Sequence, residues 1–143
     1  MQSVLPSLYQ SWHVLSRGMQ IQSTRALIAA QNFTNAESVG RTPDESPYVR
    51  KMVEIQADSQ PFSNVVMPKI RKISDDPAPP RMVYMPGHPA ADSKGLVKTP
   101  HINKPLEAMD FKDANLGTAG CARLYALTTH MLQSVHNLMK QDV

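Results

Sequence analysis

The sequence predicts an α+β fold: long N- and C-terminal helices pairing as a coiled-coil-like stem, with a small β-rich middle domain between them. Two observations carry this prediction. Of twelve prolines, one is Pro6 and the other eleven lie between Pro43 and Pro105. Proline inside a helix removes a hydrogen bond and clashes with the preceding turn, so the middle of the chain is closed to long helices and its flanks are open to them. Both flanks also carry apolar residues at helical spacing. The 143 residues therefore divide into an N-terminal helical arm over 1–40, a small β-rich middle domain over 41–105 and a C-terminal helical arm over 106–143.

In the N-terminal arm, Leu5, Leu8, Trp12, Leu15, Met19, Gln22, Ala26, Ala29 and Phe33 follow alternating steps of three and four. That is a heptad stripe with a single polar position, Gln22. Ser7 and Gln10 have the spacing of a capping box, and Asn35 and Gly40 are suited to end the helix. A helix from Ser7 to about Asn35 is roughly 40 Å long. Across residues 1–40 the charged residues are Arg17, Arg25 and Glu37, fewer than a solvent-facing helix carries, so this arm is expected to be covered. Its other faces keep Ile21, Leu27, Ile28 and Val39, which adds to the apolar surface needing a partner.

The middle domain reads as short strands between turns. "YVRKMVEI" alternates, with Val49, Val53 and Ile55 on one side and Arg50 and Glu54 on the other. "SNVVM", "KIRKI", "RMVYM" and "GLVK" are further strand candidates, each bounded by proline, glycine or an Asp/Ser cluster. In the C-terminal arm Leu124, Leu127, Met131, Val135 and Leu138 recur at steps of three and four, and Pro105 suits a first helical turn. Gly117 and Gly120 weaken the early part of that helix and let another backbone come close. Two such arms cannot hide their stripes on so small a β region. Burial against other chains is the expected outcome.

The search for chemistry yields little. A net charge of +3 is too mild to imply nucleic acid without a concentrated patch. The densest basic run, Lys69 to Lys72, has no aromatic beside it; a basic adaptor for nucleic acid or acidic phospholipid is the alternative it would support. Cys121 is the single cysteine, which excludes a disulfide framework, and His130, nine residues later, falls on a different helical face. No apolar run reaches membrane-spanning length, and no basic region followed by an apolar one marks a secretory signal. His88, Asp92 and His101 match no metal-ligand spacing. The stretch "MVYMPGHPAAD" reads instead as a structural turn: Pro86 and Pro89 preset φ, Gly87 supplies a positive φ, and Asp92 closes an Asx-turn before Gly95. No enzyme activity, cofactor or metal is expected.

Three stretches together resemble the flagellar basal-body rod proteins, specifically the C-type proximal rod subunit. Residues 79–103 fit a frame V-Y-x-P-x-H-P-x-A-D-x-x-G-x-V-x-x-P-x-V/I-N. Val83, Tyr84, Pro86, His88, Pro89, Ala91, Asp92, Gly95, Val97, Pro100, Ile102 and Asn103 are in register. Residues 29–53 resemble A-x-N-x-A-N-A-x-[ST] followed by P-Y-R-x-K, through Asn32, Asn35, Ala36, Pro47, Tyr48, Arg50 (displaced by one position) and Lys51, with Thr34 in place of an alanine. The last helix keeps Ala122, Leu124, Ala126 and Leu127 of R-x-Y-x-A-N-L-x-A-L but departs at Thr118, Gly120 and Arg123. The resemblance implies a structural, self-assembling subunit of the proximal rod that transmits torque from rotor to hook. It implies partners among other rod subunits, copies of itself and the flagellar export apparatus. The implied site is the rod in the periplasmic space, reached by type III export without a cleaved signal, with no nucleic acid bound and no membrane span. The expected assembly interface comprises Leu5, Leu8, Trp12, Leu15, Met19, Ala26, Ala29, Asn32, Phe33 and Asn35 on the first arm. On the second it comprises Leu124, Leu127, Met131, Val135 and Leu138.

Overall fold

A computed structural model describes residues 4–59 and 65–141. Helix α1 (Val4–Thr34) leads to strand β1 (Lys51–Ser59), strands β2 (Val66–Asp75), β3 (Arg81–Tyr84) and β4 (Leu96–Thr99), and helix α2 (Lys104–Gln141). The α+β class with a small two-sheet middle is as the proline distribution requires.

Helix α1 starts earlier than the capping-box spacing suggested. Pro6 sits in its first turn, where its missing N–H costs nothing. Ser7 is already helical, its carbonyl accepting from the Ser11 hydroxyl at 2.9 Å, so Ser7 and Gln10 do not form the boundary. At the other end the Asn35 amide still donates to Gln31 O at 3.0 Å, and the Ser38 amide donates to Asn35 O at 3.0 Å. Helix α2 begins directly after Asn103, whose carbonyl accepts from the Glu107 amide at 3.1 Å. It runs unbroken through Gly117 and Gly120 for 38 residues, about 57 Å.

The helices pack antiparallel, and four contacts mark the register. Trp12 meets Tyr125 with ring centroids 5.0 Å apart, Gly18 faces Cys121, Gln22 lies over Gly117, and Asn32 bonds to Glu107. A Cβ added at Gly18 would stand 3.2 Å from Cys121 Sγ, and one at Gly117 would stand 2.9 Å from the Gln22 side chain. Small residues at these crossings therefore let the backbones approach. On the flank of α1 beside the β region, Ile21 and Ile28 are buried within the chain. They are not outward apolar surface as the sequence suggested; Ile28 lines one hollow with Met52 and Val53 of β1.

Strands β1 and β2 form a two-stranded antiparallel ribbon, with a bulge at Glu54/Ile55 where the partners step from Lys72 to Ile70. Val66 and Met67 of "SNVVM" join "KIRKI" in β2 across Pro68, where two separate strands were expected; a two-stranded ribbon has an open edge that tolerates the missing donor. Val49 precedes β1 and is exposed. Strands β3 and β4 make a second hairpin, Val83 opposite Val97. Val97 is fully buried, and with Ala36, Ala90 and Ile102 it supplies the buried apolar residues outside the helix pair.

Candidate assembly surface

Three elements meet at one buried carboxylate. Glu107, in the first turn of α2 and 2% exposed, accepts from Arg50 Nε at 2.7 Å on one oxygen and from Asn32 Nδ2 at 3.0 Å on the other. The N-terminal end of α2 favours the negative charge there. Asn32, 1% exposed, also donates to Lys51 O (2.9 Å) and accepts from Lys51 N (2.9 Å) and the Tyr48 hydroxyl (3.1 Å). All four hydrogen-bonding positions of its amide are filled. Arg50 reaches Asp76 at 3.5 Å as well, and its carbonyl accepts from the Asp76 amide at 2.7 Å, closing the base of the β1–β2 ribbon. Burial works against the Arg50 charge. Yet the Glu107 hydrogen bond, with the nearby carboxylates, holds the guanidinium above its ordinary value. Burial, and then Asp75 and Glu107, push the Tyr48 phenol up and keep it a donor.

Around this clamp, α2 shows two unlike faces. The face against α1 is made of small or polar side chains: Ala114, Gly117, Cys121 and Thr128, with Tyr125. Roughly 100° around the helix lies a second stripe of large apolar residues, Leu106, Met109, Leu116, Leu124, Leu127, Met131 and Leu138, each about half exposed or more. Burying the remainder of each is worth about 1 kcal/mol, taking half of the usual gain for a Leu or Met side chain. A helix that spends small residues on its own chain and displays large ones is shaped for a neighbour.

The expected interface residues therefore separate into groups. Ala26, Ala29 and Asn32 are buried within the chain, covered by α2 and the start of β1, so they offer no outward surface. Leu8, Trp12, Leu15, Met19, Asn35 and Val135 are half-buried, Trp12 against Tyr125. Phe33 is exposed and, with Phe111, Ala30 and Ala108, borders an apolar groove between the helices. Leu124, Leu127, Met131 and Leu138 are exposed on the outer stripe of α2 rather than on the seam with α1. The Leu5 side chain lies outside the described residues. Sequence reasoning missed Leu106, Met109 and Leu116, although steps of seven run from 109 to 116 and from 124 through 131 to 138. It also gave Glu107 no role; a lone acid in a helical first turn carries no signal of its own burial.

The turn after β3 is a backbone-bonded structure. Asp92 Oδ1 accepts from the Lys94 and Leu96 amides, both at 2.8 Å, and His88 Nδ1 accepts from the Ala90 amide at 3.1 Å. His88 Nδ1 and Asp92 Oδ1 are thus engaged within the loop itself. The positive φ lies at Gly95 (76°), not at Gly87 as expected from the sequence. A Cβ at Gly95 would meet Tyr84 at 2.9 Å, whereas Gly87 has open space around it. Leu96 and Lys94 amide donation holds the Asp92 carboxyl below its ordinary range. The basic run on β2 is matched across the ribbon: Lys69 pairs with Asp58 at 3.1 Å, and Arg71 approaches Glu54 at 3.9 Å. Lys72 stands opposite Glu54. A patch so neutralised does not make the electrostatic footprint of a nucleic-acid adaptor. Among the described residues no helix is long and apolar enough to cross a membrane.

No protein-family model matches the chain. Individual relatives do. It is 34% identical to the flagellar basal-body rod protein FlgC of Agrobacterium fabrum, over 89% of this chain and 91% of the relative. It is 33% identical to FlgC of Yersinia enterocolitica and 31% identical to FlgC of Salmonella typhimurium, over 93% of both chains in each case. The chain belongs to the FlgC family of flagellar basal-body rod proteins. In this rod subunit the buried clamp joins α1, β1 and α2, and the stripe leaves large apolar side chains exposed.

Proposed function

We propose that this rod subunit lies in the proximal rod, transmitting torque from rotor to hook, and that its paired helices form a coiled-coil-like stem within the assembly. The observation that carries this reading is the outer stripe of α2, seven large apolar residues left half exposed or more on a folded chain. Copies of itself and other rod subunits cover that stripe with their own helices. The middle hairpins lie outside the stem, tied to it through Asn32, Arg50 and Glu107. A drive shaft needs this connection, because torque has to pass between parts of a subunit without slippage. The chain reaches the periplasmic space through the flagellar export apparatus without losing a signal segment, and it has a structural rather than catalytic role. His88 and Asp92, which could have served chemistry, hold backbone amides instead.

The test is complementation. A strain lacking its own FlgC, expressing this chain, is expected to swim, with the intact chain recovered in purified basal bodies at the proximal rod. Failure to find it in basal bodies while it accumulates outside the cytoplasm would refute the placement.

A further inference from the structure

We propose that the Arg50–Glu107–Asn32 cluster is a register lock, selecting which turn of α1 faces which turn of α2. The seam itself selects poorly. Its crossings are built from small or pliable side chains, Gly18 on Cys121 and Gly117 under Gln22. Slipping one helix by a turn sets Gln22 over Cys121 in place of Gly117, one small residue for another, and only at Gly18 does a larger residue, Tyr125, replace Cys121. The Trp12–Tyr125 ring contact at 5.0 Å would be lost, but both rings are only half-buried.

At the clamp the same slip has a different consequence. Glu107 is 2% exposed, with one oxygen on Arg50 Nε and the other on Asn32 Nδ2. Displaced by four residues it would lose both partners, and a carboxylate held out of water without partners is heavily disfavoured. Asn32 cannot follow it, because its remaining bonds are to Lys51 N, Lys51 O and the Tyr48 hydroxyl. The lock therefore penalises wrong registers more than it stabilises the right one. Arg50 and Glu107 are positioning residues. By fixing the register they set where the outer stripe of α2 stands relative to the middle hairpins. The inference rests on the geometry of the helix pair and would stand or fall separately from the rod placement.

Cysteine reporters read the register directly. A Cβ at position 18 lies 3.2 Å from Cys121 Sγ, a separation that a disulfide spans. Gly18→Cys in the full chain is expected to form an intramolecular disulfide with Cys121 on mild oxidation. Gln22→Cys is expected to stay reduced, since position 22 faces Gly117 and meets Cys121 only after a one-turn slip. Both reporters are then placed in the Arg50→Met/Glu107→Leu chain, with helix content followed by circular dichroism. The expected result is unchanged helicity, at least a threefold fall in the 18–121 disulfide and a matching rise in the 22–121 disulfide. A lock-free chain that closes 18–121 as completely as the parent, with 22–121 silent, overturns the proposal. So does loss of both disulfides together with helicity, because the cluster would then be holding the fold rather than choosing its register. Failure of the parent Gly18→Cys chain to close would also count against it.

Discussion

Removing the Glu107 carboxylate alone should damage the fold far more than replacing the pair. In Glu107→Ala the Asn32 Nδ2 loses a partner while 1% exposed, and the Arg50 guanidinium, 26% exposed, loses its shorter ion pair. Breaking a buried pair from one side typically costs 3–5 kcal/mol. Arg50 keeps some water and its 3.5 Å contact to Asp76, so the lower end applies, about 3 kcal/mol. With a urea slope near 1.5 kcal/mol/M, the unfolding midpoint should fall by about 2 M. Glu107→Gln is no milder in kind, because both carboxylate oxygens receive donors and an amide NH2 would oppose one of them. Arg71→Ala is the control. Its pair with Glu54 is long and solvated, so the loss should stay under about 1 kcal/mol. Equal, small shifts for Glu107→Ala and Arg71→Ala would refute the assignment of the clamp as the joint between stem and hairpins.

Other outcomes follow from particular contacts. Gly95→Ala, at φ 76° with Tyr84 in the way, should lower stability by about 1–3 kcal/mol, whereas Gly87→Ala should be near neutral by thermal unfolding. The Asp92 carboxyl is held below its ordinary value in the folded chain, so its contribution is present above an unfolded pKa near 4 and is lost as pH falls through the lower folded value. Amide exchange at Leu96 should accelerate over that acid range, and Asp92→Asn, which keeps an acceptor, should flatten the response. In dilute chain, amides of α1 and α2 near the clamp should exchange more slowly than those near Val4 and Gln141, at the helix ends. Uniform protection along both helices would contradict this.

Proline placement and heptad spacing made the order of helices and hairpins legible, because both act locally: proline forbids, and periodic apolar residues require, a helix. The turn after β3 was legible in kind but misassigned by eight residues, Gly87 for Gly95, since both glycines fit a tight turn by type. Which face of α2 meets α1 was not legible. Large apolar residues advertise burial, but here the chain buries Ala114, Gly117 and Cys121 against α1 and leaves Leu124 and Leu127 out. The residues left out recur at steps of seven, but spacing alone does not say whether a stripe is covered by the chain's own helix or by another chain. Glu107, Arg50 and Asn32 lie 18 to 75 positions apart, so no spacing rule could have joined them.

Leu127→Asp tests the central claim most directly. Leu127 is 52% exposed on the outer stripe, so the substitution gives up only part of its burial within the chain and should lower its own stability by about 1 kcal/mol. In the rod the new carboxylate would be buried without a partner against a neighbouring helix. Complementation, export and basal-body content should be measured on the same cells. The expected variant is folded and normally exported but absent from basal bodies, and it does not restore swimming. Full swimming, with Leu127→Asp present in basal bodies at the level of the parent chain, would contradict it.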